Sequence, residues 1–166
     1  MSKIKSRQGN ATNPFRLLLH VPVPWIFVLT YLIGVVLQFV FPFNVPPEAL
    51  FFCKIVGIVL FTPGVVFASW CLFIFRRVNT TTTPGETSVK LVTWGPYRLS
   101  RNPMYVSLIL SYLGEAGMLM QIWPLVVLPF TVAYINWLVI PVEEIRLKEV
   151  FEKKYQQYIL RVHRWI

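Results

Sequence analysis

Long unbroken apolar runs dominate the chain, in place of the strict alternation of a half-buried strand or the narrow stripe of a soluble helix. Four runs stand out, at about 25–41, 55–75, 104–120 and 123–140. Each is close to the roughly 17–25 helical residues that cross a hydrocarbon core of about 30 Å. The first has an apolar approach over 17–23, and Pro22 and Pro24 suit a helix start. The second carries no charge, the third only Glu115, and the fourth is interrupted by Pro124, Pro129 and Asn136. One such run could be the buried helix of a soluble core; four in 166 residues could not. After the fourth run the pattern changes. Leu147, Phe151, Tyr155, Tyr158 and Val162 recur at steps of four, four, three and four, with charged residues between them. The expected fold is therefore an all-α multi-pass membrane protein. It has four transmembrane helices and a C-terminal amphipathic helix on the membrane surface, all in one membrane domain over 1–166.

Composition narrows the partners. Apolar residues make up 55% of the chain and charged ones 14%, which excludes disorder. Cys53 and Cys71 sit alone in apolar runs and read as small hydrophobes. With two Cys and two His the chain is too poor for a structural zinc centre, so no metal is expected. The charge is +9, from 16 Lys and Arg against 7 acids, all Glu. In so apolar a chain that excess points to an anionic leaflet rather than to nucleic acid. Fifteen of the basic residues fall on one side of the four runs, and Lys54 alone on the other. The positive-inside rule then places both termini in the cytoplasm. The N-terminal run is too long for the core of a cleaved signal peptide, and no small-residue cleavage site follows. The outer connections, 42–48 and the turn near Gln121, are short, so any chemistry belongs to the inner segments 76–103 and 141–166.

Residues 78–88, VNTTTTPGETS, read as a loop. The next stretch, LVTWGPYRLSRNPMY over 91–105, is more specific. Asn102 is a good N-cap, and Pro103 fits the first helical position. The helix start, with Arg98 and Arg101 beside it, can attract an anion, and Tyr97 and Tyr105 can offer aromatic faces to a cation. A capped helix touching lipid headgroups explains the same residues. Glu143 and Glu144 are adjacent carboxylates at a membrane boundary. They call for a cationic or hydroxyl-bearing partner, or for a helix dipole. Glu115 lies roughly 15 Å along its helix from Tyr105. It is a candidate for a substrate path, or for structural pairing with Gln38 or Asn136.

The blocks LVTWGPYRLSRNPMY and EEIRLKEVFEKKYQQYILRVHRWI, separated by two closely linked runs, resemble the isoprenylcysteine carboxyl methyltransferases and their phospholipid methyltransferase-like bacterial relatives. The resemblance covers about 79–166. It implies a membrane enzyme that moves a methyl group from S-adenosylmethionine, leaving S-adenosylhomocysteine, to a lipophilic small molecule or lipidated acceptor. It also implies a cofactor site at Leu91, Val92, Tyr97, Arg101, Asn102, Pro103, Met104, Tyr105, Glu143 and Glu144. No G-x-G-x-x-G dinucleotide fingerprint competes with that reading. Two departures stand out. Asn102 and Val89 occupy positions where eukaryotic members carry His, and Val139 stands where they place the Arg that engages the substrate carboxylate. The Asn-Pro form points to a bacterial inner membrane; a eukaryotic host would imply the endoplasmic reticulum. Two other readings compete: a nicotinamide-dependent reductase of the sterol-reductase type, and a non-enzymatic membrane scaffold.

Overall fold

The computed structural model describes residues 22–78 and 90–166; the basic N-terminal segment and most of the 78–88 loop lie outside them. The described residues are helical, with no strand. Helix α1 is Val23–Val40, α2 is Pro47–Val78, α3 is Pro103–Met118, α4 is Ile122–Tyr134 and α5 is Ile140–Ile159. A 3-10 turn, Gly95–Arg98, precedes α3, and a π turn, Ile135–Val139, joins α4 to α5.

Three helical stretches are long and apolar enough to cross a membrane: Val23–Val40, Pro47–Val78 and Ile122–Ile159. The first matches the expectation within two residues. The second begins well before Ile55, because Pro47 and Glu48 make a favourable helix start. Helix α3 has 16 residues and ends at Met118. Its end is a Schellman turn: the Met120 N–H donates to Gly117 O at 3.2 Å and the Gln121 N–H to Ala116 O at 2.9 Å. Met120 occupies the left-handed position (φ 55°) that usually falls to glycine.

The fourth run, expected to end near residue 140, continues beyond it. Pro141 has no N–H to give, and its ring would press on the carbonyl four residues earlier, that of Trp137. The chain widens into the π turn just before the proline and continues to Ile159 as one helical run. A kink falls later, at Glu152 (φ 39°, ψ −115°), and interrupts the single apolar face read from the sequence. Before it, Leu147 and Phe151 are half-buried; after it, Tyr155 and Tyr158 are buried.

The most extensive helix pair is α2 with α3, while α1 packs on α4. Small residues permit the first seam: a Cβ on Gly114 would run into the backbone of Phe61, with its Cα 2.6 Å away. The main apolar core joins Val23 and Phe27 of α1, Tyr105 and Tyr112 of α3, Leu128, and Ile135, Val139 and Ile140 around the π turn. A second cluster, Cys71, Ile74, Val92 and Tyr97, lies under the loop before α3.

Short connections close one end of the bundle. There Gln38 accepts from the Ile122 and Trp123 N–H groups at 3.3 and 3.5 Å, and the Trp123 indole donates to Phe41 O at 2.7 Å. At the opposite end, the mouth, residues 90–102, the start of α5 and the C-terminal tail meet.

Candidate functional site

The mouth brings the two sequence blocks together. The Tyr105 hydroxyl, one turn into α3, donates to Glu143 Oε1 at 2.6 Å. Arg101, just before α3, pairs with Glu144 Oε1 at 3.0 Å. Glu143 and Glu144 are thus held by the Arg-Asn-Pro-Met-Tyr block across the bundle, and they need no free helix end to stabilise them. The helix runs through them without a break, so the dipole explanation does not apply.

The adjacent carboxylates sit in different environments. Glu144 is saturated by cations: Arg101 on one side, and on the other Arg164, whose Nε and terminal nitrogen donate to its two oxygens at 3.0 and 2.8 Å. That fork is the strong geometry for an arginine–carboxylate pair, and it raises the affinity of Arg164 for its proton. Glu143 has a phenol where Glu144 has two guanidiniums. Burial pushes its carboxyl above the usual range, against the opposing pull of the Tyr105 hydrogen bond and of Arg146.

Arg164 belongs to a feature with no periodic signal in the sequence: the tail after α5 folds back over the loop before α3. The Arg101 N–H donates to His163 O at 2.9 Å. Ser100 Oγ and Asn102 Nδ2 donate to Arg164 O at 3.2 and 2.9 Å, and the Trp165 indole donates to Asn136 Oδ1 at 3.0 Å. From below, the Tyr158 hydroxyl donates to Tyr97 O at 2.6 Å. Loop, tail and α5 form one polar knot, sealed by buried tyrosines whose phenols burial holds in the protonated form.

Several expectations change in this setting. Asn102 stands at the N-cap position but makes no side-chain cap; its amide ties down the tail. The start of α3 is a poorer anion site than expected. The Asn102 N–H goes to Ser100 Oγ at 3.0 Å and the Tyr105 N–H to Asn102 O at 3.0 Å, while Pro103 has none. Arg101 is engaged by Glu144, yet its Nε–H is buried without an acceptor among the described residues. Tyr97 is buried with its ring 5.6 Å from Phe75. Val92, Tyr97 and Met104 gather in the cluster beneath the loop, whereas Leu91 is half-buried at the edge of a separate groove. Pro103 is fully buried at the first position of α3.

Glu115 stands apart from this group. It lies in the last turn of α3, at the far end from the mouth, and is exposed. The two amides considered as its partners are occupied elsewhere, Gln38 by the α4 start and Asn136 by Trp165. The site residues that the sequence did not single out are Ser100, Arg164 and Trp165, while Tyr158 was read only as part of the amphipathic face. A basic residue near a chain end, opposite two glutamates, was the one available hint.

Comparison with known proteins gives a consistent picture. The sequence model of the phospholipid methyltransferase family matches residues 52–154. Two relatives, each a probable protein-S-isoprenylcysteine O-methyltransferase, come from Oryza sativa subsp. indica and Oryza sativa subsp. japonica. Each is 35% identical over 80 residues, 47% of this chain and 41% of the relative. The match thus spans about two fifths of those relatives' length. No solved structure matches. The family match runs from α2 into α5 and contains Arg101, Tyr105 and both glutamates, so the chain belongs to the phospholipid methyltransferase family.

Proposed function

We propose that the chain is an integral-membrane methyltransferase that binds S-adenosylmethionine at the mouth and methylates a lipophilic acceptor at the membrane interface. The observation that carries this reading is the 2.6 Å bond between Tyr105 and Glu143, which unites the two blocks on which the family resemblance rests.

The residues at the mouth suit that cofactor's chemistry. Glu143 is a half-buried carboxylate with one hydroxyl partner, so it retains acceptor capacity for ribose hydroxyls or an ammonium. Arg101 holds a buried N–H that lacks an acceptor among the described residues, suited to a carboxylate. When bound, the cofactor supplies a methyl group activated by a sulfonium. The protein's own work is positional. Tyr105 orients Glu143; Glu144 and its two arginines hold the tail over the loop and limit water; Asn102 and Ser100 fix the tail's path. Holding donor and acceptor in near-attack geometry is the main contribution a chain can make to such a displacement.

In this reading α3 is the fourth crossing. Its 16 residues, about 24 Å long, run beside α2 from the mouth to the closed end. Arg76, Arg77, Arg98, Arg101 and the cations of α5 support a cytoplasmic mouth by the positive-inside rule. The π turn buries Val139 (3% exposed) where eukaryotic relatives carry a carboxylate-binding arginine. An acceptor carboxylate would therefore find no cation at that position.

The test is calorimetric titration of the purified protein with S-adenosylhomocysteine. Saturable binding is expected, lost or strongly weakened in Glu143→Ala and in Tyr105→Ala. Absence of binding by the wild type, or binding by the two variants unchanged from the wild type, rejects the reading.

A further inference from the structure

Beside the mouth, between the segment before α3 and the outer side of α5, lies a groove of about 780 Å³. Four cations line it: Lys90 and Arg98 from one wall, Lys154 and Arg161 from the other. No acidic residue lines it, and none of the four makes an ion pair among the described residues. All four are exposed, and half-buried Leu91 and Phe151 add apolar lining. Tyr158 separates groove from mouth: it lines the groove, while its hydroxyl is committed to Tyr97 O. The contrast with Arg101 and Arg164 is sharp, since those two arginines are neutralised by Glu144.

Like charges brought together from two separate segments repel one another, and no anion among the described residues lines the groove to relieve them. The volume lies within the range of small-molecule sites. The Gly95–Arg98 turn stands a few residues before the start of a helix packed along a membrane-crossing one, which puts the groove at the level of lipid headgroups. We propose that the groove is a headgroup site for an anionic phospholipid of the surrounding bilayer. The phosphate would sit among Lys90, Arg98, Lys154 and Arg161, and the glycerol end on Leu91 and Phe151. The lipid is a bound anchor, not the methyl acceptor, and the inference does not depend on the proposed reaction.

The experiment titrates the full chain, purified in a neutral detergent, with dioctanoyl phosphatidylglycerol, dioctanoyl phosphatidylcholine and inorganic phosphate, reading occupancy by native mass spectrometry. One phosphatidylglycerol is expected to bind, with phosphatidylcholine and phosphate not bound at the same concentration. The double variant K154Q/R161Q should bind it roughly 30-fold more weakly, from two lost charges near a headgroup. K90Q/R98Q, which alters the opposite wall, should do the same, so the result does not depend on one variant folding. K148Q/K153Q removes two α5 charges that do not line the groove and should change affinity little. Four outcomes overturn the proposal. They are binding of phosphate or of phosphatidylcholine equal to phosphatidylglycerol, equal loss in the control pair, no loss in either groove pair, and a parallel loss of S-adenosylhomocysteine binding, which would make the groove part of the mouth. Failure of the wild type to bind S-adenosylhomocysteine counts against the methyltransferase reading alone.

Discussion

The two ends of the bundle are closed by different physics. At the closed end neutral groups do the joining: Gln38 and the Trp123 indole satisfy the turns, and glycines let α2 and α3 approach to backbone contact. At the mouth the joining is ionic and long-range in sequence, through Glu144 with Arg101 and Arg164, and through Glu143 with Tyr105. Packing fixed by shape admits no alternative partner, whereas a hydrogen-bonded, charged knot can exchange an internal partner for a ligand. The end built by shape is therefore the frame, and the end built by charge is the one whose internal partners a ligand could replace.

The largest expected effect breaks the frame. Gly114→Leu forces side-chain atoms into the Phe61 backbone. Overpacking costs about 1–3 kcal/mol even where neighbours can shift, and a backbone wall shifts little. Size-exclusion chromatography in detergent should show loss of the monodisperse protein. Glu144→Gln comes next. It leaves two guanidiniums without their carboxylate, at a cost of about 2 kcal/mol for a partly exposed pair. The tail should then be trimmed faster by carboxypeptidase, while Gln38→Ala leaves trimming unchanged. Equal trimming of all three proteins would erase the distinction between the ends.

Tyr105→Phe removes a single hydrogen bond to a carboxylate and should weaken S-adenosylhomocysteine roughly tenfold by titration, with little change in melting temperature. A pH series sharpens the same point. Burial raises the Glu143 midpoint, and the ionised form is the one that accepts hydrogen bonds from the ligand. Affinity should therefore fall as pH drops through a midpoint above the usual carboxylate range, and this step should vanish in Glu143→Gln. For stability the sign is reversed. A raised carboxyl favours the folded state below the unfolded value, and that contribution is lost as pH rises through the folded midpoint. The smallest effect is a gain at the closed end: Met120→Gly relieves a left-handed residue and should add about 0.5–1 kcal/mol, read as a higher melting temperature.

Much of this architecture was legible because lipid-facing helices advertise themselves by unbroken apolar composition. Their ends were less legible. The start of α2 lies outside its apolar run, since Pro47 and Glu48 begin a helix by capping and dipole effects that hydropathy does not register. The helix does not stop where the apolar run does, and only the backbone shows that a wider turn absorbs Pro141. The pairing of the Asn-Pro block with the twin glutamates was recoverable from the family resemblance. The role of the tail was not, because its key acceptors are the carbonyls of His163 and Arg164, and a backbone oxygen carries no residue identity. Asn102 illustrates the limit: its position was read correctly, but its bond was not.

The π turn at Ile135–Val139 has a rotational consequence. A π turn holds one residue more than the α pitch requires, and each residue advances a helix by about 100°. Upstream of it, Leu128 and Thr131 look into the bundle; downstream, Glu143 meets Tyr105. With uniform α pitch, one of those two alignments would be lost: either the apolar stripe of α4 would swing toward lipid or the glutamates would swing away from the tyrosine. One surplus residue thus sets the phase between the apolar part of this helix and the part that turns its carboxylates toward α3.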